Sequence, residues 1–424
     1  MVHADPHEDR SRSAPASKES SSDSRMAYLD NLRAIAMLLG VYLHAALAYA
    51  EPANSVWLAT DGRSSVLIDF SIWWIHLFRM SLFFAIAGYL GKMVYDRKGM
   101  KRFLVGRLVR IVLPFAVFYP LLLGAMTAVF VFALTYLESP QGLMGMIAEA
   151  YEKGATEGSL ATEEAQKPGT MHLWFLYYLI YFTGLGIVGS MVAEKWKGMD
   201  VGQEKKERPN LVKLKAWMGQ PWLAMVLPLL WIPAMMTAGM PLPAPESWVP
   251  TWWPFVFYGS FYFGGWLLFG NESFLDPYRR WFPALCGTGL LLLIPYYLFM
   301  PNLDLTELEQ LQRVRWDWQS ASLAGLTAYL SWMWTLLAWL LGERFLNVPS
   351  RGLRLIADAS YWLYLIHLPI VVFLQTLLIP AEWPLVVKLL LVLVGTLVPG
   401  LASYLVFVRY SPIGWMLHGK RSFP

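Results

Sequence analysis

Residues 31–50, NLRAIAMLLGVYLHAALAYA, form an apolar run long enough to cross a ~30 Å hydrocarbon core as one helix, yet the run carries Arg33 and His44. At ~100° per residue their separation is about three turns plus 20°, with a rise of about 16 Å. Both side chains therefore share one face at different depths. An ionisable residue in hydrocarbon costs several kcal/mol, so such a stripe faces a bundle interior or a water-filled cavity and marks a functional site. A secretory signal would offer a shorter, uncharged apolar region before Ala48-Tyr49-Ala50. The interrupted, full-length run predicts a retained first helix.

Working outward, the 424 residues are 56% hydrophobic and only 15% charged, with mean hydropathy +0.42. That composition predicts one polytopic all-α membrane domain, not several soluble ones. Apolar segments able to span begin near residues 28, 66, 103, 171, 217, 253, 281, 318, 355 and 384, which predicts a ten-helix transmembrane bundle. Residues 1–25, rich in Ser, Asp, Arg and Lys, read as a disordered cytoplasmic tail. Residues 26–410 read as the membrane domain and 411–424 as a short second tail.

Loop charges give the bundle a direction. With the N-terminus inside, the cytoplasmic loops contain DRKGMKR (96–102), EKWKGMDVGQEKKERPNLVKLK (194–215), DPYRR (276–280), ERFLNVPSRGLR (343–354) and GKRSFP (419–424), all basic. The opposite loops are acidic or proline-rich. This bias predicts both termini in the cytoplasm. Residues 142–153, in the longest outer connection, have the composition of a short interfacial helix.

The net charge of +4 lies in those loops and implies no nucleic-acid partner. The 21 Trp and 21 Tyr cluster at span ends, as at Trp248, Trp252, Trp316 and Trp318, where interfacial belts anchor a helix in the bilayer. Cys286 is alone, which excludes an intrachain disulfide and a thiol metal cluster.

His44 has the ordinary pKa range of a general base for a hydroxyl at neutral pH; its plain alternative is a histidine satisfied by a polar neighbour. His172 and His367 lie on other helices, and no HExxH or comparable short spacing occurs, so no metal is expected. In KRFLVGRLVRIVLP (101–114), Arg107 and Arg110 stand i, i+3 and would share a face. With Arg33 they are candidate phosphate binders at the inner entrance, against ordinary positive-inside anchoring. Asp69, His76 and Arg79 sit in the second span, the last two on one face.

With these residues in place, the chain resembles the membrane-bound acyltransferase 3 family. The likeness rests on Arg33-x10-His44, on Arg107-x-x-Arg110, on FFAIAGYL (83–90) and on SYWLYLIHLP (360–369), in matching order and helix position. YLDNLRAIAMLLGVYLHAALAY (28–49), IHLFRMSLFFAIAGYL (75–90) and MHLWFLYYL (171–179) are most similar to the branch that succinylates osmoregulated periplasmic glucans. That branch has a second histidine where this chain has Leu368, so no role passes to that position.

The resemblance implies a bacterial inner-membrane O-acyltransferase that takes an acyl group, in this branch succinyl, from cytoplasmic acyl-coenzyme A to a glycan hydroxyl on the periplasmic side. It assigns catalysis to His44 with Arg33, and coenzyme A binding to Arg33, Arg107 and Arg110. Asp30, Asp69, His76, Arg79, His172, Trp174, Tyr364 and His367 are candidate substrate or oxyanion contacts. Its partners would be the bilayer, the glucan and other glucan-biosynthesis proteins, and an oligomer is compatible with it. A transporter or flippase for a sugar, lipid or acylated precursor is the rival reading, since it too needs a buried charged stripe.

Overall fold

The computed structural model describes residues 17–51, 57–157, 169–198, 226–239, 243–301, 316–348 and 350–418, and is all-helical, with no strand among them. Helix α1 (Ser17–Ala46) starts inside the stretch read as a tail. Then come α2 (Val66–Arg107), a π-turn (Leu108–Val112), α3 (Leu113–Tyr136), α4 (Gly142–Glu157) and α5 (Trp174–Gly198). The second half has α6 (Ile232–Ala238), α7 (Trp253–Leu268), α8 (Asp276–Arg280), α9 (Phe282–Leu298), α10 (Trp318–Phe345), α11 (Arg351–Leu378), α12 (Leu385–Ser403) and α13 (Pro412–His418).

Among the described residues six helices are long and apolar enough to cross a membrane, or seven if the pair α8–α9, bent by 73°, makes one span. The 71-residue run Val66–Tyr136 counts as one of them. A straight helix of that length would measure about 107 Å, over three times the hydrocarbon thickness. The run breaks at Gly99, where φ is 74° and ψ 167°, a backbone state that glycine reaches without a Cβ clash. The expected span near 217 begins outside the described residues, and α7, at 16 residues, is shorter than a typical crossing. Helix α4 occupies the place expected for an interfacial helix.

Among the described residues, several hydrogen bonds and ion pairs join loops that the charge pattern assigns to the same side. At the basic end, Asn31 Nδ2 donates to the Leu346 and Val348 carbonyls, Tyr89 Oη donates to Glu272, and Arg279 pairs with Glu343 at 2.8 Å. At the other end, Arg63 donates to the Glu382 and Trp383 carbonyls, Thr170 N donates to the Glu246 carbonyl, and Lys388 forms a buried 2.5 Å ion pair with Asp61.

Helix α1 is the hub, packed against α2, α10, α11 and α12. The tightest crossing joins α2 to α7. A Cβ added to Gly88 would sit 1.8 Å from the Tyr262 carbonyl oxygen, and one added to Gly265 would sit 1.9 Å from that of Ala85. Glycines on both helices thus let the backbones touch, which in lipid supplies dispersion that hydrophobic burial does not.

Candidate active site

His44 lies in the last turn of α1, at the end of the bundle away from the basic loops. Its ring stands 5.2 Å, centroid to centroid, from His367 of α11, and His367 stands 5.0 Å from His172, which precedes α5. Three histidines expected on separate helices therefore converge. Among the described residues no group of three His, Cys, Asp or Glu has a metal-holding arrangement.

Hydrogen bonds orient two of the rings. His367 Nδ1 lies 3.1 Å from the Leu363 carbonyl and 2.9 Å from that of Tyr364. His172 Nε2 lies 2.9 Å from the Tyr364 carbonyl, while Tyr364 Oη donates to the His172 carbonyl at 2.7 Å. This lock engages the Tyr364 hydroxyl. It is completed by Met171 at φ 48°, the one non-glycine in the left-handed region among the described residues, a conformation that costs roughly 1–3 kcal/mol and persists only where packing imposes it. His44 Nδ1 and His172 Nδ1 are buried without a hydrogen-bond partner.

Arg79 of α2 is 8% exposed and faces this cluster. Its guanidinium packs beneath Gly40 of α1, where an added Cβ would lie 3.0 Å from Nη1. Nη2 donates weakly to the Met80 sulfur at 3.4 Å, and Nε has no partner. No described carboxylate forms an ion pair with it. Arg79 lies close enough to act electrostatically on His44, His172 and His367, and His76 likewise on His44. A buried cation with no protein anion is costly, and a ligand's negative charge relieves that cost.

Two residues unmarked by sequence reasoning frame His44. Gln375, 1% exposed, donates to the His44 and Ala45 carbonyls at 2.9 and 3.0 Å and accepts from Trp57 Nε1 at 2.9 Å. Trp57 then lies 5.4 Å from the His44 ring, opposite partners on α11. A lone glutamine in the apolar run VVFLQTLL was the available signal.

The other candidates distribute unevenly. Asp69 is fully buried at the start of α2 and accepts from Tyr297 Oη at 2.9 Å, an interhelical clasp. Trp174 packs on Phe84 and Tyr258 within the aromatic core. Asp30 and Arg33 pair with each other at 3.3 Å, both part-exposed, and no hydrogen bond, ion pair or ring contact joins Arg33 to Arg107 or Arg110.

Arg107 turns inward, its guanidinium 5.0 Å from the Phe103 ring centroid and against Gly91. Arg110 is exposed, and its carbonyl accepts from Tyr361 Oη at 2.6 Å. The π-turn from Leu108 to Val112 begins between them and spreads the pair around the axis, so the shared face expected of i, i+3 is not kept.

The sequence profile of the acyltransferase 3 family, described as an acyltransferase domain, matches residues 26–405. Proteins named Glucans biosynthesis protein C from Salmonella paratyphi B and Salmonella enteritidis PT4 are each 25% identical over 414 residues, covering 93% of this chain and 95% of theirs. The protein of that name from Salmonella schwarzengrund is 24% identical over 413 residues, with the same coverage. No solved structure matches the chain at a significant level.

Proposed function

The chain belongs to the acyltransferase 3 family, and from that premise we propose that it moves a succinyl group from coenzyme A to a hydroxyl of a periplasmic glucan. The observation that carries the proposal is the convergence of His44, His172 and His367 on Arg79, an unpaired cation inside the bundle. In this reading the bundle has ten crossings in a bacterial inner membrane, both termini cytoplasmic, and the basic end faces the donor.

His44 takes the proton from the acceptor hydroxyl, and that oxygen attacks the thioester carbonyl carbon. Negative charge then develops on the carbonyl oxygen, where the Arg79 guanidinium stabilises it; a single such donor contributes about 3–4 kcal/mol. The C–S bond breaks, the thiolate leaves and takes the proton from His44, and the acyl ester remains on the glycan. His367 and Gln375 hold the base in place through its ring and its backbone carbonyl. Arg107, inward-facing at the basic end, is the phosphate contact that fits best; Arg110 is exposed, and Arg33 is paired with Asp30.

The test is release of free coenzyme A thiol by the purified protein given succinyl-coenzyme A and a glucan. Release that requires the glucan, with succinylated product by mass spectrometry, supports the reading. Glucan movement across a sealed vesicle without thiol release refutes it in favour of a transporter.

A further inference from the structure

Helix α3 passes beside the histidine cluster, where it packs near Leu368, the neighbour of His367. Met126 of α3 packs into the same cluster as Trp57, Leu58, Leu368 and Ile379. Tyr119 is seven residues earlier on α3, about 10 Å along the helix. There Tyr119 Oη donates to the Gly169 carbonyl at 3.3 Å, and its ring lies 5.0 Å from Trp248. The segments holding Gly169 and Trp248 thus pack on α3 about two turns before Met126.

Trp248 is fixed edge-on. Its interplanar angles are 83° to Tyr119 and 81° to Tyr177, and the Tyr177 hydroxyl donates to its carbonyl at 2.8 Å. With those contacts made, 42% of Trp248 remains exposed. Glu246, two residues away, is also exposed. Its carbonyl accepts from both Thr170 N and Thr170 Oγ1, at 2.6 and 3.0 Å. Thr170 is two residues from His172, a chain distance of at most about 7 Å.

An interfacial anchor has aromatic rings at the headgroup level. Here a pinned indole and a glutamate stand two residues apart on a segment bonded to Thr170, which is two residues from His172 of the histidine cluster. One ligand chemistry needs both: a pyranose offers an apolar C–H face to an aromatic ring and hydroxyl donors to a carboxylate.

We propose that Trp248 and Glu246, backed by Tyr119 and Tyr177, bind a pyranose ring of the acceptor and present its neighbouring hydroxyl to the histidine cluster. The proposal deepens the acyl-transfer reading and rests on it for the identity of the acceptor. Trp248 stacks on the sugar, and Glu246 accepts from its hydroxyls.

The experiment uses the full-length protein in lipid nanodiscs, with a β-linked gluco-oligosaccharide as probe. Trp248→Ala raises the acceptor KM roughly tenfold and weakens donor-free oligosaccharide binding by the same factor, while the donor KM does not move. Trp248→Phe recovers most of the loss, and Glu246→Gln weakens oligosaccharide binding as well. A Trp248→Ala protein that melts like the wild type and binds the oligosaccharide equally well overturns the proposal and leaves Trp248 as a lipid anchor. Wild-type protein that binds the oligosaccharide through Trp248 but releases no coenzyme A thiol overturns the acyl-transfer reading and upholds the sugar site.

Discussion

Replacing Arg79 with methionine separates what that residue does for the fold from what it does for the reaction. The side chain is 8% exposed, its Nε has no partner, and no described acid forms an ion pair with it. Exchanging buried ionic groups for apolar ones of similar size is often neutral or stabilising by about 1–4 kcal/mol. Arg79 starts without an ion-pair partner, so the exchange breaks none; the weak contact to the Met80 sulfur is the hydrogen bond lost. Arg79→Met is therefore expected to melt at or above the wild-type temperature in nanodiscs. Loss of one donor to a developing oxyanion costs about 3–4 kcal/mol, a kcat lower by roughly 10²–10³. Thermal melting and coenzyme A thiol release on the same preparation read the two effects. A variant that melts well below wild type and keeps its kcat would refute the assignment, because Arg79 would then be a packing element.

Two further outcomes follow from other parts of the structure. Gly265→Val places side-chain atoms where a Cβ alone already falls 1.9 Å from the Ala85 carbonyl oxygen, so α2 and α7 must separate; a large drop in melting temperature is expected, and an unchanged one would refute the close crossing. Arg107→Ala should raise the donor KM about tenfold or more and Arg110→Ala much less, since only Arg107 turns inward; equal effects would point to a site at the membrane surface.

Much of the architecture was legible because a bilayer imposes it. The apolar runs place the helices, and the alternating loop charges sort the two ends, which the Asn31, Arg63 and Thr170 contacts group accordingly. The break at Gly99 falls inside 96–102, the basic stretch read as a cytoplasmic loop between two spans, although the chain stays helical on both sides of it. Residue 44 was picked out by the cost of a histidine in hydrocarbon, and that reasoning led to the cluster. Its partners were visible one by one, but His172 and His367 come from helices distant in sequence, and their meeting depends on how α5 and α11 pack on α1. The Arg107–Arg110 expectation assumed regular helical geometry, and a π-turn depends on surrounding packing, which a local pattern does not encode. Arg33 shared the predicted face of α1, yet its nearest charged partner is Asp30, one turn away.

The central claim is that His44 is the base. His44→Ala in full-length, folded protein, given saturating succinyl-coenzyme A and glucan, is predicted to lower succinyl transfer by roughly 10²–10⁴-fold while donor binding persists. Succinyl transfer at the wild-type rate by that variant would contradict the account.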